Sequence, residues 1–418
     1  MPHIPATRTQ HKLTEPPTAS SATLRFEHRK QRIVDAATTL LNQKGMQGMT
    51  LADVASALNL ATTSITYYFR RKDLLVVAVF EDTLARLATM AKEAGQRSTP
   101  RERVARYLEL HSDAFADALR GEGRPIANLS ELRSLGEDAR ARLIEHYRAI
   151  LRVVRNFFGT PANDARKRLF TARAHILNEA LFWQAVWLGQ YAIGDFPNVR
   201  RRFFEILDGG IAVPGVPWDG CIVEPNPVTQ PGEQESFLRA ATLLINDIGY
   251  RGASVKRIMG GLNRTKGSFY HHLDSKENLI VACWQISNRR MADLHTKAYR
   301  AHVSPWKRVS SIVTSALALQ FGNDFPLLRV TACQAMPAHV RDLVLQQAQR
   351  IVLGMMGALV EGIQEGSVRA IDPLVASHLI VSAINAASEL RVAPDRQSIG
   401  DAITTYETVL GSGIFDPE

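Results

Sequence analysis

The chain has 418 residues, 45% hydrophobic and 22% charged, which is a globular composition with room for two or three domains and excludes wholesale disorder. Its three cysteines, Cys221, Cys283 and Cys333, exclude a disulfide framework, and no Cys/His spacing suggests a structural zinc site. The net charge of +9 favours a polyanionic partner wherever it is concentrated on one surface.

Residues 1–24 mix Pro, Thr and Ser with little apolar content and read as a mobile arm without a hydrophobic leader. From Phe26 the apolar spacing becomes helical, with Ile33, Ala36, Ala37, Leu40 and Leu41 on one face. A helix over 27–44 ends at Gly45, where glycine suits a left-handed cap. Thr50 caps a second helix, 51–58, with Asp53 at its positive end. A break at Asn59 and Leu60 precedes a short helix, 62–68, and a long helix starts near Lys72. No stretch alternates with period two, so the expected class is all-α. Residues 212–233 carry Pro214, Pro217, Pro225, Pro227 and Pro231, and no helix crosses them. This segment reads as a linker, and no transmembrane run of about 18 apolar residues appears anywhere. The expected setting is cytoplasmic and reducing.

The two halves repeat. A shift of 204 residues without a gap superposes Ala36-Ala37-Thr38 on Ala240-Ala241-Thr242. It also superposes Asn42 on Asn246, Gly45 on Gly249, Leu58-Asn59 on Leu262-Asn263 and Lys72 on Lys276. In all, 12 of the 40 positions from Ala36 to Leu75 are identical. Ser254 takes the capping place of Thr50. The domains are therefore drawn at 25–75 and 234–279 for the duplicated module, with 76–211 and 280–413 following each copy.

Helix, short turn and short polar helix form the helix-turn-helix plan, whose second helix enters the major groove of DNA. The candidate reading helix of copy one offers Thr62, Thr63, Ser64 and Thr66, ending in Tyr67 and Tyr68. Copy two offers Thr265, Lys266, Gly267, Ser268 and Tyr270, ending in His271 and His272. Small residues such as Thr63 and Gly267 permit close approach, and Thr50 and Ser254 stand at the start of the supporting helices. Between Arg25 and Lys72 there are eight Lys/Arg against three Asp/Glu, so the positive charge lies where DNA would need it. Adjacent His271 and His272 do not face one point on a helix and suggest no metal site.

Residues 263–282 resemble the DNA-binding signature of TetR-family transcriptional regulators. Gly267, Phe269, Tyr270, His272, Lys276 and Leu279 occupy its positions, and Leu273 stands where Phe is usual. Copy one matches less closely, with Thr66 for the usual Tyr and Tyr68 for the usual His. The resemblance implies that Tyr270, Lys276 and Lys72 touch backbone phosphates, with Tyr67 or Tyr68 substituting for the side chain that Thr66 lacks. Lys266 could read guanine, whereas Thr62 at the matching site cannot, so an asymmetric operator is expected.

The resemblance also implies that 76–211 and 280–413 are helical domains that bind a small-molecule effector and pair with each other. The expected protein is a regulator, most simply a repressor released by its effector, acting on double-stranded DNA as an intramolecular pseudo-dimer. A homodimer of chains with four heads is the alternative. His111, Arg133 and His175 could anchor a polar or anionic effector. Trp183 and Trp187, with Phe182 and Tyr191, read as pocket lining or as helix-packing core. No P-loop, GxGxxG, GxSxG or HExxH occurs, so no catalytic residue, cofactor or metal is expected. A helical scaffold, or an enzyme with degenerate modules, is the rival class.

Overall fold

Glycine breaks, capping residues and proline divide the sequence into helices much as its pattern predicts. A computed structural model describes residues 21–227, 233–262, 275–322, 325–329, 338–390 and 395–416. Among these residues every extended regular element is helical, apart from an isolated antiparallel bridge between Ala212 and Val368. The first half contains α1 (Ser21–Gly48), α2 (Leu51–Ala57), α3 (Thr62–Tyr68), α4 (Lys72–Gly95), α5 (Pro100–Arg120), α6 (Glu137–Arg155), α7 (Asp164–Trp187) and α8 (Phe196–Gly209). The second contains α9 (Glu233–Gly252), α10 (Val255–Gly261), α11 (Lys276–Ala301), α12 (Pro305–Phe321), α13 (Ala338–Glu365), α14 (Pro373–Ala387) and α15 (Arg396–Ser412). Helix α1 starts at Ser21, so residues 21–24 belong to it and not to an arm.

The duplication extends to atomic detail. Gly45 and Gly249 both turn to positive φ, 70° and 75°, and break their helices at the same point. Thr38 and Thr242 are buried, and each hydroxyl donates 2.8 Å back to the carbonyl four residues earlier. Thr50 and Ser254 each accept a bond from the backbone N–H three residues on. Asn59 sits at φ 54°, a conformation asparagine tolerates better than other side chains.

The two halves meet through their last helices. Helix α7 packs along α14, and α15 lies against both α7 and α8. Trp183 and Trp187 are both 2% exposed and close on His378 of α14. Trp183 Nε1 donates 3.2 Å to His378 Nδ1, and Trp187 stacks on the imidazole at 4.6 Å and 4°. Ion pairs cross the same joint from Arg202 to Asp372 at 3.1 Å and from Arg173 to Asp416 at 2.8 Å. The ends of α8 and α15 cross backbone to backbone. Gly210 has φ 69°, and a Cβ there would stand 2.1 Å from the Gly411 carbonyl oxygen; at Gly413, φ 97°, it would stand 2.3 Å from that of Asp208. Only glycine permits both the conformation and the approach.

The described part of the proline-rich segment is a docked strap. Ser311 and Ser315 of α12 accept the backbone N–H groups of Cys221 and Val223 at 3.1 and 2.8 Å. Trp306 Nε1 donates 2.9 Å to the Pro217 carbonyl, and Trp218 Nε1 donates 3.0 Å to Thr314. The Ser311 and Ser315 hydroxyls, one helical turn apart, thus supply partners for backbone N–H groups that the proline-broken segment cannot pair within itself. Contrary to the expectation from the sequence, the stretch Val340–Glu365 within α13 is long and apolar enough to cross a membrane by length and composition. It packs one stripe, including Val344, Val352 and Leu359, against its neighbours α11, α12 and α14.

Candidate nucleic-acid interface and effector cavity

In the first head, α1 and α2 hold α3 at the surface. Val54 and Ile65 are fully buried and fasten α3 to α2. The supporting helix is fixed at its start by a capping box. The Thr50 hydroxyl accepts from Asp53 N–H at 3.0 Å, and the Asp53 carboxylate accepts from Thr50 N–H at 2.9 Å. Lys44 Nζ lies 2.9 Å from the same carboxylate and ties the end of α1 to α2. Hydrogen bonds from Lys44 and Thr50 bring the Asp53 pKa down to about 2.

With its own hydroxyl engaged, Thr50 acts as a cap. Thr62 and Thr63 are exposed at the start of α3, and Ser64 is half-buried. The Thr66 hydroxyl turns back to donate 3.0 Å to the Thr63 carbonyl. Tyr68 packs on Phe26 at 4.8 Å, whereas Tyr67, edge-on to both rings, stands 74% exposed. Lys72 Nζ reaches the Gln47 carbonyl at 3.4 Å. Arg25, Arg29, Arg32 and Arg70 are exposed around this face and form no ion pair among the described residues.

In the second head, Ser254 caps α10 by accepting from Arg257 N–H at 3.2 Å. A cation stands here where copy one has Asp53. Lys276 lies over the Tyr250 ring at 4.4 Å. Thr265, Lys266, Gly267, Ser268, Tyr270, His271 and His272 lie outside the described residues.

In each half three side chains at equivalent positions, one in the head and two in the long helix that follows it, hold a loop of the same half. Asn42 Nδ2 donates 2.8 Å to the Ile126 carbonyl while its Oδ1 accepts from Asn128 N–H at 2.9 Å. Asn246 does the same with Leu327 and Arg329, at 2.9 and 3.0 Å. The Thr83 hydroxyl accepts from Ala127 N–H at 3.0 Å, and Ser287, 204 positions later, accepts from Leu328 N–H at 2.9 Å. Arg86 donates to the Pro125 carbonyl at 2.7 Å, and Arg290 donates to that of Phe325. The repeat made Asn42 and Asn246 visible, but not their partners, which lie more than 80 residues away.

The latches also cross between halves. Arg133, in the 3-10 helix Leu129–Ser134, donates 3.1 Å to the Asp247 carbonyl of α9. Arg341 of α13 donates 3.4 Å to the Gln43 carbonyl of α1, the position equivalent to Asp247. Glu131, in that same 3-10 helix, accepts from Met46 N–H at 2.6 Å. The segment 125–134 therefore touches the ends of both α1 and α9.

This segment borders a cavity of about 1020 Å³, walled by α6 and α7 and floored by the end of α9. The predicted effector residues are divided by the structure. Arg133 and His175 line the cavity; His111, Trp183 and Trp187 do not. His111 instead packs edge-on against Tyr107 at 4.5 Å, and burial holds its pKa down to about 4. Trp183 and Trp187 belong to the joint with α14, the packing alternative of the two readings. At the back of the cavity, Glu389 pairs with Arg133 and Arg329, and Arg329 lies 3.6 Å from Glu179. Burial alone would raise the Glu389 pKa, but the two guanidinium groups outweigh it and hold the carboxyl far below its usual range. His175 is shifted down by desolvation and stays neutral near pH 7.

Comparison with known proteins bears on this duplicated head. The profile of the bacterial regulatory proteins of the tetR family matches residues 33–79 and again 237–283. The chain thus carries the DNA-binding module of that family twice, and the matches coincide with the two latched heads. The Transposon Tn10 TetC protein of Escherichia coli is 26% identical over 147 residues, which is 35% of this chain and 73% of TetC. The HTH-type transcriptional regulator BetI of Paraburkholderia phymatum is 32% identical over 89 residues, 21% of this chain and 45% of that protein. The chain thus spans less than half of BetI. Apo AibR resembles 43% of this chain over 98% of its own length, with 18% identity and a TM-score of 0.37.

Proposed function

We propose that this chain is a single-chain, effector-responsive repressor of the TetR family whose two unlike heads occupy successive major grooves of one asymmetric operator. The observation that carries the reading is the joint of α7 and α8 with α14 and α15, which pairs the halves inside one polypeptide. Two heads held on such a base can meet half-sites about one helical turn, roughly 34–36 Å, apart. The heads differ where bases would be read: Thr62 and Thr63 stand at the positions of Lys266 and Gly267. A threonine cannot make the long cationic contact to guanine that lysine can, so the half-sites differ.

The latches support effector control. Segment 125–134 lines the cavity and grips both heads, so an occupant that moves it changes head spacing. Release requires the effector to bind the non-matching spacing more tightly than the matching one. Selection of bound duplexes from a random pool tests the reading. The expected product is two dissimilar half-sites at one-turn separation; a perfect palindrome refutes it.

A further inference from the structure

The face of α6 turned to the cavity alternates apolar and cationic side chains. Ile144, Tyr147 and Leu151 supply the first kind; Arg140, Arg148, Arg152 and Arg155 supply the second. Tyr147 and Phe182 meet at 5.9 Å and give one wall an aromatic surface, and Leu243 of α9 faces the same space. The carboxylates at the back are already spent, because Glu389 and Glu179 are paired with Arg133 and Arg329. Arg148 and Arg152 share Glu145, at 3.7 and 2.8 Å. Arg140 and Arg155 form no ion pair among the described residues, and Nε of Arg155 is enclosed without a hydrogen-bond partner. Even with the Asp247 carboxylate on its floor, the cavity keeps an excess of positive charge beside an apolar wall. Its volume is at the upper end of small-molecule sites.

We propose that this cavity, built jointly by the first half, the second head and the second helical domain, binds one amphipathic organic anion per chain: a carboxylate, sulfonate or phosphate ester on an apolar or aromatic body. The proposal rests on the effector-responsive reading above and gives the effector its chemical class and its place. The anionic group meets Arg140 and Arg155, and the apolar body lies on Tyr147, Phe182 and Leu151. The floor consists of Asn246 to Gly249 of α9, so the ligand touches the second head directly. It reaches the first head through Arg133 and its segment, whose Asn128 and Glu131 hold Asn42 and Met46. A single ligand therefore acts on both heads.

The test uses the full chain without DNA and two probes of one ring system. One is 1-anilinonaphthalene-8-sulfonate; the other is the uncharged N-phenyl-1-naphthylamine, which lacks the sulfonate. Fluorescence titration is expected to give one sulfonate probe per chain, bound about tenfold or more tighter than the neutral probe, the scale of a charged hydrogen bond. Arg140→Gln/Arg155→Gln should remove that preference while leaving the neutral probe within about twofold. Hydrogen exchange at amides 243–249 should slow when the sulfonate probe is added. Arg155→Gln alone, a milder change, should lose part of the preference if the double variant does not fold. Equal binding of both probes, two bound per chain, or an unchanged preference in the variants overturns the proposal. Intact selection of two half-sites alongside such a failure removes this site and leaves the two-headed reading standing. The reverse pattern does the opposite.

Discussion

His378 makes the joint between halves sensitive to acid. Its ring is enclosed between Trp183 and Trp187, and desolvation lowers its pKa from 6.5 to about 4, against a smaller opposing effect of Asp372. The unfolded chain therefore binds a proton between these values that the folded chain refuses. Stability from this group is full above pH 6.5 and is lost as the pH falls. Linkage gives a loss of about 2 kcal/mol at pH 5 and about 3 kcal/mol at pH 4. His378→Phe keeps a ring against Trp187 but strands the Trp183 N–H, at a cost of about 1–3 kcal/mol at neutral pH. It also removes the titration. His111 and His295, likewise held at about 4 by burial, remain as a background common to both proteins. Urea unfolding followed by circular dichroism at pH 7.5, 6, 5 and 4 should show the variant losing about 3 kcal/mol less than the wild type across the range. Parallel profiles would refute the assignment of His378 as a buried neutral base.

Other substitutions probe the remaining structural claims. Gly210→Ala forces a Cβ onto the Gly411 carbonyl in a left-handed conformation, and should lower stability by about 3 kcal/mol or more in urea melts. Asn42→Ala and Asn246→Ala each delete a two-ended latch; each should cost about 1–3 kcal/mol and speed hydrogen exchange in its own loop, 125–128 or 325–329, but not in the other. Lys72→Ala should weaken binding to all duplexes alike and reduce the slope of log affinity against log salt by about 1, read by fluorescence anisotropy. Tyr67→Ala should also weaken binding without changing the preferred sequence, because Tyr67 faces outward and Tyr68 is held on Phe26.

Local chemistry made the heads legible. Gly45, Thr50 and Asn59 dictate backbone geometry through their own conformational limits, so α1 to α3 fall within a few residues of where their pattern places them. The start of α1 at Ser21 was missed because residues 21–24 lack an apolar stripe. The repeat exposed Asn42 and Asn246 but not what they grip, since hydrogen bonds across 80 residues leave no local period. Trp183 and Trp187 show the deeper limit: a buried aromatic stripe looks the same whether it faces a ligand or another helix, and here the partner is His378 in the other half. The cavity was legible only through Arg133 and His175. Its floor comes from the second head, and no pattern within either half announces a space between them.

The mass of the protein on its selected duplex tests the two-headed single chain most directly. Light scattering should find one 46.3 kDa chain per duplex, with both half-sites protected in a footprint of the same sample. Two chains on that duplex, or one chain protecting a single half-site, would contradict the account.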